Sequence, residues 1–181
     1  HHHDVPFRLL DKQYSFKAKD GSPTNSTNNR IIHGDNLEAL KSLLPEFEGK
    51  VNCIYIDPPY NTGNEGWVYN DNMNDPKIRK WLGQVVGKEG EDLSRHDKWL
   101  CMMYPRLKLL HRLLAKNGVF FLQLNDDELH YAKVLMDEIF GRDSYINEVC
   151  VKMKLTAGAS GGGEDKRLKK NIENILIYTK D

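Results

Sequence analysis

One stretch limits the possible folds more than any other: a β-branched, apolar run that ends abruptly in an acid, two prolines and a tyrosine. Val51–Ile56 is apolar on both faces, which is typical of a strand buried in the middle of a parallel sheet. Asp57, Pro58, Pro59 and Tyr60 follow directly. Because proline cannot continue a strand ladder, the strand must end here, and Asp57 must lie at its carboxyl end.

The rest of the chain alternates helix and strand signals. Asp35 and Glu38 have the spacing of a capping box, so Asp35 is a candidate N-cap. Leucines at helical spacing predict a helix that Pro45 and Gly49 end. The ranges predicted as further strands are 30–33, 119–124, 146–153 and 172–179. Two more helices are predicted, one over 100–114 that Asn117 and Gly118 close, and one that starts after Asn125 and Glu128 and ends at Gly141.

This order predicts an α/β fold: a mainly parallel, Rossmann-like sheet with an antiparallel hairpin at one edge. Residues 1–29 begin with three histidines typical of a purification tag and continue as a polar N-terminal arm. Residues 61–94 are rich in Asn, Asp and Gly, and a loop of this length indicates a lid or binding segment. Ligands of such sheets bind beyond the carboxyl ends of the strands, where Asp57 is expected.

Composition excludes several classes of protein. The net charge is zero, so no general basic field points to nucleic acid, although a local groove could still bind it. The three cysteines are scattered singly, which predicts buried free thiols in a reducing cytoplasm rather than a disulfide framework or a zinc site. No apolar run approaches the ~18 residues of a membrane span, and we expect neither a metal nor a membrane contact.

The four residues 57–60 can be interpreted as a clamp for a planar amine. The Asp57 carboxylate would accept one N–H of an exocyclic amino group, and the Pro58 carbonyl would accept the other. Fixed torsions at Pro58 and Pro59 would hold these acceptors, and the Tyr60 ring could stack on a base taken out of its helix. A strand that ends in Asp-Pro-Pro is also an effective turn, and the tetrapeptide alone fits both interpretations.

The wider sequence resembles a known family. DPPY matches the catalytic motif of DNA amino-methyltransferases that use S-adenosylmethionine. The chain is most similar to the catalytic part of the modification subunits of type III restriction-modification systems. Three segments carry the resemblance: RIIHGDNLEALKSLLPEFEGKVNCIYIDPPYNTGNEGWVYND from residue 30, HDKWLCMMYPRLKLLHRLLAKNGVFFLQLNDDE from residue 96, and IENILIYTKD from residue 172.

The resemblance implies transfer of a methyl group to N6 of a flipped adenine in duplex DNA, with Asp57, Pro58, Pro59 and Tyr60 as the catalytic group. It places Asp35 near the cofactor, and Asn61 and Thr62, which directly follow the clamp, are candidates to bind the cofactor or line the base pocket. In the basic loop, Lys166, Arg167, Lys169 and Lys170 are candidates for contact with DNA phosphates, although a simply solvated loop fits them equally. It further implies self-association of full-length subunits, a restriction subunit as partner and a cytoplasmic location.

Two alternatives stay open. Related clamps serve cytosine N4 in DNA and guanine N2 in RNA, although Asp at the first position favours adenine. The family also carries a glycine-rich strand-to-helix turn that holds the methionine part of the cofactor, and GASGGG at 158–163 lacks the flanking strand and helix for that role. We therefore expect these 181 residues to be a catalytic portion with little activity alone, and a non-catalytic assembly module is the other alternative.

Overall fold

The computed structural model describes residues 7–15, 29–60, 95–153 and 172–180, and the structural statements below concern these ranges. Three helices and four strands follow each other with one short 3-10 turn. In chain order they are α1 Asn36–Phe47, β1 Val51–Ile56, α2 Arg95–Leu113, β2 Leu114–Leu124, α3 Leu129–Phe140, the 3-10 turn Arg142–Ser144, β3 Tyr145–Lys152 and β4 Ile172–Thr179. All three predicted helices and four of the five predicted strands are therefore confirmed.

The four strands form one sheet in the order β1-β2-β4-β3. β1 and β2 are parallel, whereas β4 runs antiparallel to both β2 and β3. The α/β class and the antiparallel pair at one edge are confirmed, and the sheet is mixed rather than mainly parallel within the described ranges. β1 is one of the two edge strands of this described sheet, so the central position predicted for it is wrong here. An apolar sequence favours burial, but the backbone decides which strands pair.

The helices cover one face of the sheet. Alternate residues of β2 and β4 point to this face, as the pleat of a strand requires. Those with no exposed surface are Phe120, Leu122, Leu124, Leu176 and Tyr178. They meet fully buried side chains of the helices, among them Trp99, Leu107 and Met136. Each large apolar side chain buried in this way contributes about 1.5–3 kcal/mol, so this layer supplies most of the stability of the described part.

The predicted strand over 30–33 is wrong. Residues 29–33 have neither helix nor strand geometry, and Ile31 is 95% exposed. Arg30 instead makes a two-pronged ion pair with Glu46 of α1, at 2.6 and 2.7 Å. A short apolar run becomes a strand only when a neighbouring strand satisfies its backbone groups, and none of the described strands lies beside it.

The junction between α2 and β2 also differs from the prediction. α2 contains Pro105, as expected, but it ends at Leu113, and the chain enters β2 at once. Asn117 and Gly118 lie inside β2, at an irregularity where the partner of Val51 is Leu114 while that of Cys53 is Val119. The pattern of apolar residues continued across this junction, so it could not show where the helix stops.

Of the two N-cap predictions, the one for α1 is confirmed and the one for α3 is wrong. The Asp35 carboxylate accepts hydrogen bonds from the amides of Leu37 and Glu38 at 2.9 and 3.0 Å, so it is the N-cap of α1. Glu128 takes the N-cap position of α3 without a side-chain cap bond. Its buried carboxylate lies 2.8 Å from Nδ1 of His96, which joins the start of α3 to the start of α2.

The cysteines are free, as predicted, but they are less buried than expected. Cys53 and Cys150 are exposed and Cys101 is half-buried. Apolar neighbours in the sequence predicted a buried thiol, yet Cys53 lies on the face of β1 opposite the helices. The helices of the described part are too short or too polar to cross a membrane.

Candidate active site

The candidate site begins where β1 ends. Ile56 is the last residue of the strand, and Asp57 follows it with its side chain exposed. Pro58, Pro59 and Tyr60 are half-buried and continue without helix or strand geometry. The prediction that Asp57 lies at the carboxyl end of a strand is confirmed. An exposed carboxylate on a rigid support can accept hydrogen bonds from a ligand.

A buried tryptophan, Trp99, holds the Pro58–Pro59 segment by a hydrogen bond. The indole Nε1–H of Trp99, in the first turns of α2, donates a hydrogen bond to the Pro59 carbonyl oxygen at 2.7 Å. Trp99 has no exposed surface, so its position is set by the core. The Pro59 carbonyl is thereby engaged, whereas the Pro58 carbonyl accepts no hydrogen bond from the described residues. Among the described residues, only the Pro59 carbonyl of the two is therefore engaged.

The Tyr60 hydroxyl lies in a polar cluster made by three strands. It donates a hydrogen bond to Glu173 at the start of β4, at 3.0 Å, and accepts one from Nε2 of Gln123 near the end of β2, at 3.2 Å. Gln123 Nε2 also donates to Glu173, and Gln123 Oε1 accepts from the Tyr55 hydroxyl. Burial raises the pKa of the Tyr60 phenol, and the Asp57 and Glu173 carboxylates raise it further.

Asp35 lies at the same end of the sheet as Asp57. α1 leads into β1 through the short segment 48–50, so helix and strand run in opposite directions. Twelve helical residues span about 18 Å and six strand residues about 20 Å, which brings the start of α1 level with the end of β1. Arg106 of α2 fixes this start, because its Nε donates to Asn36 Oδ1 at 2.8 Å.

The structure reaches only part of the predicted site. Asp35, Asp57, Pro58, Pro59 and Tyr60 are described, and all five lie at one end of the sheet. The other predicted residues lie outside the described ranges; they are Asn61, Thr62, Lys166, Arg167, Lys169 and Lys170. The same is true of the predicted lid over 61–94. Within the described ranges, no cluster of three His, Cys, Asp or Glu side chains has an arrangement that could hold a metal ion.

Sequence reasoning missed three residues beside the site: Trp99, Gln123 and Glu173. Two of them carried a usable signal. Gln123 is the polar residue inside the apolar run 119–124, and Trp99 is a large aromatic residue with a polar N–H on a core-facing helix. Buried polar groups need partners, so each pointed to a hydrogen bond. Glu173 carried no such signal, because an acid at the start of a strand is ordinary.

Comparison with known protein families shows to which family the chain belongs. A sequence model described as DNA methylase, of the N6_N4_Mtase family, matches residues 51–181. The chain belongs to this DNA methylase family. The match covers both the strand that carries Asp57 and the later strands that carry Gln123 and Glu173. With the exception of Asp35, the candidate site therefore lies in the part of the chain that matches the family.

Individual relatives of the chain agree with this family assignment. The chain is 44% identical over 165 residues to the HindVI Mod subunit of a type III restriction-modification enzyme from Haemophilus influenzae, covering 91% of this chain and 19% of that protein. It is 35% identical over 168 residues to the type III EcoPI Mod subunit of Escherichia phage P1, covering 86% and 25%. The chain thus spans a fifth to a quarter of these relatives, and the predicted resemblance to type III modification subunits is confirmed.

Among solved structures, a DNA modification methylase from Thermus thermophilus is similar to this DNA methylase with a TM-score of 0.45 and 18% sequence identity. The alignment covers 78% of this chain and 50% of that structure.

Proposed function

We propose that this chain takes part in the transfer of a methyl group from S-adenosylmethionine to N6 of adenine in duplex DNA, as part of a modification enzyme. The observation that carries the proposal is the pairing of an exposed carboxylate, Asp57, with the neighbouring carbonyl of Pro58 on a turn that Trp99 holds. Two acceptors on adjacent residues match the two N–H bonds of one amino group.

The chemistry explains why two acceptors are needed. The lone pair of an exocyclic amine is delocalised into the base, so the nitrogen is a poor nucleophile. When both N–H groups donate to fixed acceptors, the nitrogen becomes more pyramidal and its lone pair becomes available for attack. Asp57 supplies negative charge where positive charge develops on the nitrogen, and preorganised charge of this kind is usually the largest catalytic term. The half-buried Tyr60 ring offers a stacking surface for the base.

The donor set is compatible with the cofactor. When bound, S-adenosylmethionine supplies an electrophilic methyl group on a sulfonium sulfur. Asp35 offers an exposed carboxylate at the same end of the sheet, with Oδ1 occupied by the helix cap. A carboxylate there suits the hydroxyl and ammonium groups of such a cofactor, and we assign Asp35 to it. Asn61 and Thr62 are proposed as further contacts by their place directly after the clamp.

Interaction partners follow from the same assignment. We propose duplex DNA as the substrate, with Lys166, Arg167, Lys169 and Lys170 as candidate phosphate contacts. The relatives are subunits of restriction-modification enzymes, which supports self-association and a restriction subunit as partners. An enzyme that modifies the DNA of a bacterial cell would act in the cytoplasm.

A transfer assay with three acceptors tests the assignment. Tritiated S-adenosylmethionine is incubated with duplexes whose only candidate amines are adenine N6 or cytosine N4, and with structured RNA. The assay uses this chain and any longer gene product that contains it. We expect label on adenine-containing duplex alone, located at N6 by nucleoside digestion. With this chain alone we expect little label, whereas label on cytosine or RNA, or no label on any acceptor with the longer gene product, would contradict the proposal.

A further inference from the structure

The hydroxyl of Tyr60 has one proton and two carboxylates near it. A phenol donates a single hydrogen bond, so only one carboxylate can receive it. Glu173 is the first carboxylate, and its Oε2 accepts a hydrogen bond from the hydroxyl over 3.0 Å. Asp57 is the second carboxylate, and its hydrogen bond with the hydroxyl, after burial, also raises the pKa of Tyr60. Which of the two carboxylates accepts this hydrogen bond decides how far the Asp57 oxygens remain free to accept hydrogen bonds from a ligand.

Gln123 favours the hydrogen bond from Tyr60 to Glu173 over the one from Tyr60 to Asp57. Its Nε2 donates both to the Tyr60 oxygen, at 3.2 Å, and to Glu173 Oε2. Its Oε1 accepts from the Tyr55 hydroxyl, which fixes the direction of the amide. The donor end of Gln123 therefore stabilises the charge of Glu173 and holds the Tyr60 oxygen beside it. Asp57 is exposed and has no comparable contact with Gln123 among the described residues.

We propose that Glu173, held by Gln123, is a positioning residue that accepts the hydrogen bond of the Tyr60 hydroxyl and so leaves the Asp57 carboxylate free to accept the amine of the base. This inference rests on the proposed amino-methyl transfer. It assigns a role to two residues on strands far from the DPPY motif in sequence.

The cost of losing Glu173 follows from the geometry. Without it, the Tyr60 hydroxyl turns its proton to Asp57. That hydrogen bond withdraws negative charge from the carboxylate and competes with the amine for the same oxygens. Removal of the hydroxyl abolishes the competition, so the damage caused by loss of Glu173 is reversible by a second substitution. A residue that only stabilises the fold would not show such a reversal.

The test compares Glu173→Ala, Tyr60→Phe and the double variant in single-turnover methyl transfer to adenine-containing duplex. We expect Glu173→Ala to lower the rate constant about tenfold or more, since a hydrogen bond to a charged group is diverted. Tyr60→Phe keeps the ring but loses the hydrogen bond that joins it to Glu173, and we expect about a threefold decrease in the rate constant. The double variant should return to the level of Tyr60→Phe. Glu148→Ala, an exposed glutamate on β3, is the matched control and should equal wild type.

Other outcomes overturn the inference. They are a double variant as slow as or slower than Glu173→Ala, an unimpaired Glu173→Ala, and a Tyr60→Phe loss as large as that of Glu173→Ala. Circular dichroism establishes that each variant is folded, and Glu173→Gln, which keeps the shape but weakens the acceptor, should fall between wild type and Glu173→Ala.

A second measurement separates this inference from the proposed function. Urea unfolding of wild type, the two single variants and the double variant gives the coupling between Tyr60 and Glu173 without any methyl transfer, and about a tenfold coupling in the folding equilibrium constant is expected. Absence of coupling would overturn the positioning role even in an active enzyme. If the unfolding data show coupling between the two residues but the wild type methylates no adenine, the proposed function is refuted, whereas the hydrogen bond between Tyr60 and Glu173 is supported.

Discussion

The buried Trp99 indole donates its N–H to the Pro59 carbonyl at 2.7 Å, across 40 positions of sequence. This bond joins the core-facing side of α2 to the turn that carries Asp57. Neither proline has an N–H of its own, so the turn cannot be held by backbone donors within this step. A side chain from another element has to hold it, and the conformation of the clamp thereby depends on the packing of α2.

Replacement of Trp99 by Phe should destabilise the protein and disturb the clamp together. The variant loses the hydrogen bond to Pro59 and leaves space in the core, and a loss of about 1–3 kcal/mol in unfolding free energy is expected. Methyl transfer should fall as well, under conditions where the variant is fully folded. Tyr104→Phe on the same helix is the control, because it changes an aromatic residue without removing a contact to the turn. Urea unfolding and the tritium assay provide the two measurements.

Replacement of Asp57 by Ala should separate activity from stability. The side chain is exposed at the end of β1, so its removal is expected to change the unfolding free energy by no more than about 0.5 kcal/mol. Transfer should fall about a thousandfold or more, since the charge that stabilises the developing cation is lost. Asp143→Asn, an exposed acid in the 3-10 turn, should leave both unchanged. An Asp57→Ala enzyme with substantial activity would exclude the clamp.

Because the Asp137 carboxylate in α3 is hydrogen-bonded in its charged form, we expect the protein to lose stability in acid. Burial opposes its charged form, but hydrogen bonds from Lys133 and Tyr178, each at 2.7 Å, outweigh that effect and set its pKa below the ordinary 3.8. A depressed pKa stabilises the folded state above the unfolded value. That contribution is therefore complete above about pH 4 and is lost as the pH falls through the folded value.

The measurement for Asp137 is unfolding free energy against pH for wild type, Asp137→Asn and the exposed control Asp143→Asn. We expect Asp137→Asn to be less stable than wild type at about pH 6, with a difference that shrinks below about pH 4. The control should follow wild type throughout. A difference that stays constant down to about pH 2 would show that the ionisation of Asp137 is not linked to folding.

Gly118 should not tolerate a side chain. A Cβ at this position would lie 2.7 Å from Leu114 Cδ1 and 2.9 Å from the Ala115 carbonyl oxygen. Because the second contact is backbone, the irregular start of β2 would have to shift, and overpacking of this kind costs about 1–3 kcal/mol. Gly118→Ala should lower the thermal midpoint, whereas Lys116→Ala, a change in the same segment, should not. Equal midpoints would show that the segment rearranges without cost.

The sequence alone determined the helices, the strand that presents Asp57 and the cap at Asp35. These features depend on local patterns: apolar periodicity, the missing N–H of proline and the preference of Asp for an N-cap. The DPPY tetrapeptide could likewise be recognised, since its four residues are contiguous. What local patterns could not give was the end of α2, because apolar positions continued through Leu113 and Leu114 into β2.

Tertiary structure decided the rest. It placed β1 at the edge of the described sheet, left residues 30–33 without a strand partner among the described strands, and brought Trp99, Gln123 and Glu173 to the turn that follows β1. These outcomes depend on pairing between strands and on hydrogen bonds across 40 to 113 positions. Such contacts leave little trace in local composition, because a partner is chosen by proximity in the folded chain and not by spacing along the sequence.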